Sequence, residues 1–180
     1  MKKKYSGIVL IGMPCVGKTT LGGLLADKLG LEFIDTDRSI EKFLNRNLQD
    51  VINEDGYMAL RAAEEKVLLK EIVARKVIAT GGSAVYSEKG MDYFKNEGLV
   101  IFLDLPQKNL EGRITNFSTR GIARRPDQSF ANLFDERRVL YLQHAHVIVD
   151  CLGLNIEQLL ERLITLSLEH LTSIVGLKRN

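Results

Sequence analysis

The stretch Ser6-Gly7-Ile8-Val9-Leu10-Ile11-Gly12-Met13-Pro14-Cys15-Val16-Gly17-Lys18-Thr19-Thr20-Leu21 decides the fold. Its first six residues read as a short buried strand. Gly12 to Thr19 match G-x-x-x-x-G-K-[ST], a loop whose backbone N–H groups turn inward around phosphate oxygens. Leu21, Leu24, Leu25 and Leu29 then recur at helical spacing. Strand, glycine-bearing loop and helix in that order form the setting the pattern needs. The helix N-terminus adds free N–H groups and the positive end of a dipole. Gly12, Pro14, Cys15, Val16, Gly17, Lys18, Thr19 and Thr20 are therefore the candidate nucleotide-phosphate contacts. Lys18 can reach the terminal phosphates, and the Thr19 hydroxyl can ligate Mg²⁺. Gly22 and Gly23 each cost about 1 kcal/mol against alanine inside a helix. Close packing of helix on sheet is the expected reason for both.

Working outward, apolar strands alternate with amphipathic helices. Glu32–Asp35 reads as a second strand, Lys76–Thr80 as a third, Leu99–Leu103 as a fourth and His146–Asp150 as a fifth. Helices are expected from Arg38 to Arg46, in a short piece before Gly56, along 57–74 and from Ile156. Pro106 sits where its missing N–H is harmless, near a helix start. Alternating strands and helices imply a three-layer α/β/α fold around a five-stranded parallel sheet, within one domain spanning 1–180. Such sheets bind ligands beyond the carboxyl ends of their strands. That rule puts the phosphate loop, Asp35 to Asp37 and Gly81 to Ser83 on one rim. Residues 116–129 hold Arg120, Arg124, Arg125, Gly121 and Pro126 with little apolar periodicity, and read as a mobile lid.

The chain has 180 residues and a net charge of +2, too small to argue for nucleic acid. No apolar run approaches the roughly 18 residues that a membrane span needs. No apolar signal core follows Met1-Lys2-Lys3-Lys4. Cys15 and Cys151 lack metal-ligand spacing, a disulfide between them is not expected, and a reducing cytoplasm is. The phosphate-loop potential raises the question of Cys15 reactivity; an inert residue filling the loop is the plainer reading. His144, His146 and His170 show no catalytic or metal spacing.

Asp35-x-Asp37 follows the second strand. On an extended chain both carboxylates face one side. One could hold metal-bound water and the other accept a substrate hydroxyl proton; both could instead cap the following helix. Arg61 and Glu64 lie three apart on one helix face. They form either a surface pair or an arginine, oriented by a glutamate, that grips a carboxylate.

The order G-x(4)-G-K-T, D-x-D, R-x-x-E, a strand ending T-G-G, R-P, then R-x-x-L-Y resembles the shikimate kinase family, over about residues 7 to 165. Phe33-x-Asp35-x-Asp37, Leu60-Arg61-x-x-Glu64-Glu65 and Thr80-Gly81-Gly82 are its most specific parts. The resemblance implies a P-loop kinase of the nucleoside-monophosphate-kinase-like fold that phosphorylates a hydroxyl of shikimate from ATP·Mg²⁺. It implies Asp35 beside the metal, Asp37 on the reacting hydroxyls, and Arg61 and Arg137 on the substrate carboxylate. Gly81, Gly82 and Ser83 would line the pocket, Arg125 would steady the transferring phosphoryl group, and Arg113 would pack on adenine. A monomer in the cytoplasm is expected. A kinase of another small hydroxy acid or nucleotide, and a non-catalytic nucleotide-binding relative, are the alternatives. The chain departs from the family at Ser83 (a third glycine), Leu60 (phenylalanine), Gly56-Tyr57 (glycine–glutamate), Asp127-Gln128 (leucines) and Val139 (proline). The interior of its phosphate loop, Pro14-Cys15-Val16, is a further departure.

Overall fold

The computed structural model describes residues 4–113 and 121–172. In chain order the elements are β1 (Gly7–Ile11), α1 (Lys18–Leu29), β2 (Glu32–Asp35), α2 (Thr36–Leu44), α3 (Leu48–Asp55), α4 (Tyr57–Leu68) and β3 (Lys76–Ala79). There follow a 3₁₀ turn (Ala84–Tyr86), α5 (Glu88–Glu97), β4 (Gly98–Asp104), α6 (Gln107–Glu111), α7 (Phe130–His144), β5 (Val147–Asp150) and α8 (Ile156–His170). The five strands form one sheet in the order β2-β3-β1-β4-β5. Every pairing is parallel, with Val9 opposite Ile78 on one side and Val100 on the other. β1 is central and buried at all five positions. Its continuous apolar run is what a strand covered on both faces requires.

α1 packs with α8, and α5 packs with α7 beside β4, so helices flank the sheet. The main core runs from Ile8 and Leu10 through Val100 and Phe102 to Leu163. A second, smaller apolar cluster lies among α2, α3 and α4, where Ile40, Leu48, Val51, Leu60, Ala63 and Val67 meet Ala123. Among the described residues no helix is long and apolar enough to cross a membrane. Cys15 and Cys151 are both free, and burial pushes the Cys151 thiol up to about 12.

Several boundaries move. The helix expected along 57–74 ends at Leu68, and Ile72 lies beyond it, 64% exposed. The helix expected from Arg38 begins at Thr36 because the Asp35 side chain caps it, accepting from the Asp37 N–H. The Gly22–Gly23 expectation splits. A Cβ at Gly22 would stand 2.7 Å from Phe33 Cε2, whereas one at Gly23 would meet nothing within 4 Å. Of the lid read over 116–129, residues 116–120, with Arg120, lie outside the described residues.

Candidate active site

The phosphate loop leaves β1 at Gly12, whose φ of 146° and close approach to the Leu103 carbonyl exclude a side chain. Cys15 (φ 66°) and Gly17 (φ 110°) complete the turn, and Gly17 is the N-cap of α1. No side chain caps that helix end. Its first N–H groups therefore face the loop interior. Lys18 is buried within this loop, donating to the carbonyls of Gly12 at 2.7 Å and Met13 at 2.9 Å. The next residue, Thr19, donates its hydroxyl to Asp35 Oδ2 at 2.8 Å. This contact joins the start of α1 to the end of β2.

Asp35 and Asp37 do not alternate on an extended chain, as the spacing had suggested. Asp35 ends β2, and Asp37 sits in the first turn of α2. The cap and the site share one residue: Asp35 Oδ1 accepts from the Asp37 N–H at 3.0 Å while Oδ2 accepts from Thr19. Between them Thr36, fully buried, accepts the Gly81 N–H on its hydroxyl at 2.9 Å. That bond ties the end of β3 to the start of α2. A Cβ at Gly81 would lie 2.5 Å from both Asp37 Oδ1 and Glu64 Oε1, so any other residue would have to displace these two carboxylates.

Beyond the carboxyl ends of the strands a cleft is lined by Pro14, Cys15 and Gly17 to Thr20 on one side. Asp37, Glu64, Thr80, Gly82, Ser83 and Arg137 line the other, with Ile40, Leu48, Leu60, Ile122 and Ala123 as apolar wall. Gly82 is pinned from behind, its carbonyl accepting from the Tyr141 hydroxyl at 2.7 Å. Arg137 projects from α7 and is 1% exposed. Its Nη2 donates to the Ala123 carbonyl at 2.7 Å, which ties the irregular segment around Ala123 to α7 at the cleft.

Arg61 and Glu64 form neither of the pairs that their spacing offered. Glu64 is 2% exposed and takes the Ser83 hydroxyl on Oε2 at 2.5 Å, while Oε1 has no partner. Burial pushes its carboxyl up to about 7, the Asp37 charge adding to the shift and the Ser83 hydrogen bond opposing it. The Arg61 guanidinium instead lies over the Tyr86 ring, 3.4 Å from its centroid, and 5.1 Å from that of Tyr57. Arg61 Nε and Nη2 and Arg137 Nε are buried without a hydrogen-bond partner. Burial lowers the Arg61 pKa, and the nearby Arg137 charge pushes the same way.

Other expected site residues stand apart from the cleft lining. Arg125 pairs with Glu136 at 2.9 Å and is half exposed. The Arg113 side chain is exposed just after α6, close enough to Cys151 for its charge to act on that thiol. Sequence reading missed Tyr86, for which no spacing signal exists. It also missed Ile122 and Ala123, two apolar residues inside a polar stretch.

Among the described residues no three His, Cys, Asp or Glu side chains converge as a metal cluster. The Thr19 hydroxyl and Asp35 carboxylate nevertheless supply two hard oxygen donors at the phosphate loop. One or two protein oxygens, completed by phosphate and water, suit Mg²⁺.

Comparison with known proteins agrees with this geometry. A family model described as shikimate kinase matches residues 14–167. A shikimate kinase of Bacillus cereus (strain AH187) is 30% identical over 157 residues, covering 87% of this chain and 94% of its own. The structure of shikimate kinase from Acinetobacter baumannii in complex with shikimate superposes with a TM-score of 0.82 at 27% identity, covering 93% of this chain and 95% of that one. The Aquifex aeolicus shikimate kinase structure gives 0.75 at 32% identity, with 90% and 95% covered.

Proposed function

From the chain's membership of the shikimate kinase family we propose that it transfers the γ-phosphoryl group of ATP to a hydroxyl of shikimate, as a cytoplasmic monomer. The observation that carries this reading is the pair of cations beside the cleft. Arg61 and Arg137 hold buried N–H groups without partners, and neither forms an ion pair among the described residues. Buried donors of this kind call for an anion, and two guanidiniums suit a carboxylate gripped in a fork.

The division of labour follows from the two walls of the cleft. The ATP phosphates lie on the loop N–H groups, with Lys18 turning from its loop carbonyls to the terminal phosphates. Across the cleft, Arg61 and Arg137 hold the substrate carboxylate, and Asp37 faces the ring hydroxyls. As the hydroxyl oxygen bonds to the γ-phosphorus, the bond from phosphorus to the β,γ-bridging oxygen breaks and ADP leaves. Asp37 takes the hydroxyl proton. Lys18 and Arg125 offset charge on the transferring group, where most of the catalytic stabilisation in such reactions lies. That role requires Arg125 to leave Glu136. Thr19 and Asp35 would hold Mg²⁺, which would supply neutralisation of the phosphate oxygens when bound. The apolar wall of Ile40, Leu48, Leu60 and Ile122 keeps water from the acceptor side.

The test is ADP release from ATP·Mg²⁺ with shikimate, gluconate or nucleoside monophosphates added singly. Stimulation by shikimate alone is the expected result. Stimulation by another acceptor instead would move the reading to that substrate, and none by any would leave a nucleotide-binding protein without this activity.

A further inference from the structure

The geometry points to Tyr86 as a positioning residue: its ring is the platform that aims Arg61 and Arg137 at the substrate carboxylate. This rests on the function proposed above. Tyr86 is one of the last residues of the 3₁₀ turn after the Gly81-Gly82-Ser83 rim. The Arg61 guanidinium lies 3.4 Å from its ring centroid and that of Arg137 5.5 Å, so one ring serves both cations.

Three observations make the ring, rather than hydrogen bonds, the device that orients Arg61. Nε and Nη2 of Arg61 are buried with no partner in the fold. Glu64, three residues along α4, takes the Ser83 hydroxyl on Oε2 and forms no ion pair with Arg61, its Oε1 being buried without a hydrogen-bond partner. The second aromatic contact, Tyr57, is more distant, at 5.1 Å. A planar guanidinium stacked on an aromatic face keeps its in-plane N–H edge free, and that edge is what a carboxylate needs. The ring is itself anchored at its far end. The Tyr86 hydroxyl donates to Glu136 Oε1 at 2.5 Å, and Glu136 is the residue before Arg137 on α7. The same contact therefore fixes the ring relative to the helix that carries the second arginine. A ring so placed also offsets part of the repulsion between two cations brought to one site.

The experiment compares Tyr86→Phe and Tyr86→Leu with wild type and Arg61→Ala, using steady-state kinetics and the NMR signal of the Arg61 Nε–H group. The leucine variant removes the aromatic face and keeps apolar bulk; the phenylalanine variant keeps the face and loses only the Glu136 anchor. Tyr86→Leu is expected to raise the KM for shikimate by about 10-fold, as a cation–π contact of ~1–2 kcal/mol predicts. The KM for ATP should stay within about 2-fold, and Tyr86→Phe should restore most of the loss. The Arg61 Nε–H signal should show an upfield ring shift in wild type and Tyr86→Phe, lost in Tyr86→Leu. An unchanged shikimate KM in Tyr86→Leu, with Arg61→Ala impaired, overturns the inference. So does an equal rise of both KM values, which marks a merely structural role, or the lack of a ring shift in wild type. If Tyr86→Leu does not fold, failure of Tyr86→Phe to keep both the ring shift and a near wild-type KM overturns it as well. If shikimate fails to stimulate the wild type, the function reading falls, and the ring shift then decides the platform separately.

Discussion

The two walls of the cleft are built by opposite means. The phosphate-loop wall comes from one contiguous stretch, Gly12 to Thr20, and in the proposed function its work falls mainly to backbone N–H groups. The opposite wall is assembled from separate segments: Asp37 on α2, Glu64 on α4, Thr80, Gly82 and Ser83 after β3, Ala123, and Arg137 on α7, with the Arg61–Tyr86 contact beside that lining. It is built from side chains whose partners lie on other segments: Arg137 with Ala123, Glu64 with Ser83, and Arg61 with Tyr86. A site made of backbone N–H groups depends little on the side chains of its interior, here Pro14-Cys15-Val16. A side-chain site has to be rebuilt at several places when one residue changes. Ser83 is such a place, because its hydroxyl engages Glu64 Oε2 across the rim.

The sharpest way to separate the walls is Asp37→Asn. It removes the proton acceptor and leaves the phosphate loop intact, so turnover should fall by about 10²–10⁴-fold with ATP affinity nearly unchanged. Parallel loss of both would merge the two walls. Next in size is Arg137→Lys, which keeps the charge but not the flat fork. A loss of one charge-assisted hydrogen bond, about 1.5–3 kcal/mol, should raise the KM for shikimate by ~10-fold or more without moving that for ATP; steady-state kinetics with each substrate varied decides it.

Glu64 gives a smaller, pH-dependent effect. Burial pushes its carboxyl up to about 7 in the folded state, against an ordinary 4.5. Between those values the folded state binds the extra proton. Its contribution to stability therefore falls as pH rises from 4.5 to about 7, and is constant outside that window. Glu64→Gln should flatten that part of the stability–pH curve in urea titrations. Ser83→Ala, by removing the hydrogen bond that favours the ionised form, should extend the window upward; an unchanged window would mean that the bond does not hold the charge. The smallest effect is at the nucleotide-side helix. Gly23→Ala should stabilise by about 0.5–1 kcal/mol, and Gly22→Ala should destabilise by ~1–3 kcal/mol through the forced shift of Phe33. Thermal melts of the two variants should move in opposite directions.

How much could be read in advance differs between the walls for the same reason. The loop pattern, its flanking strand and the helical leucines are local, and all of them stand where the spacing put them. The five parallel strands were equally legible, since each is a short apolar run between helical segments. α7 was not. Its buried face is Leu133, Phe134, Arg137, Tyr141 and His144, a helical stripe in which an arginine and a histidine occupy core positions and hide the apolar period. The Asp35-x-Asp37 spacing was correct about the rim and mistaken about the chain, because a carboxylate that caps a helix and one that faces a substrate look alike in sequence. R-x-x-E likewise located both residues on one helix without revealing that each turns to a different partner.

Chain order thus settled the phosphate loop, the strand count and the identity of the charged residues, because these depend on periodicity and backbone conformation within a few residues. The folded arrangement settled which side chains face one another: Thr19 with Asp35, Ser83 with Glu64, Arg125 with Glu136, and Arg61 with the Tyr86 ring. Three of those four contacts bridge elements far apart in the chain, and the fourth spans the lid-to-α7 turn. No local pattern encodes them; they exist because the parallel sheet gathers the carboxyl ends of its strands at one rim.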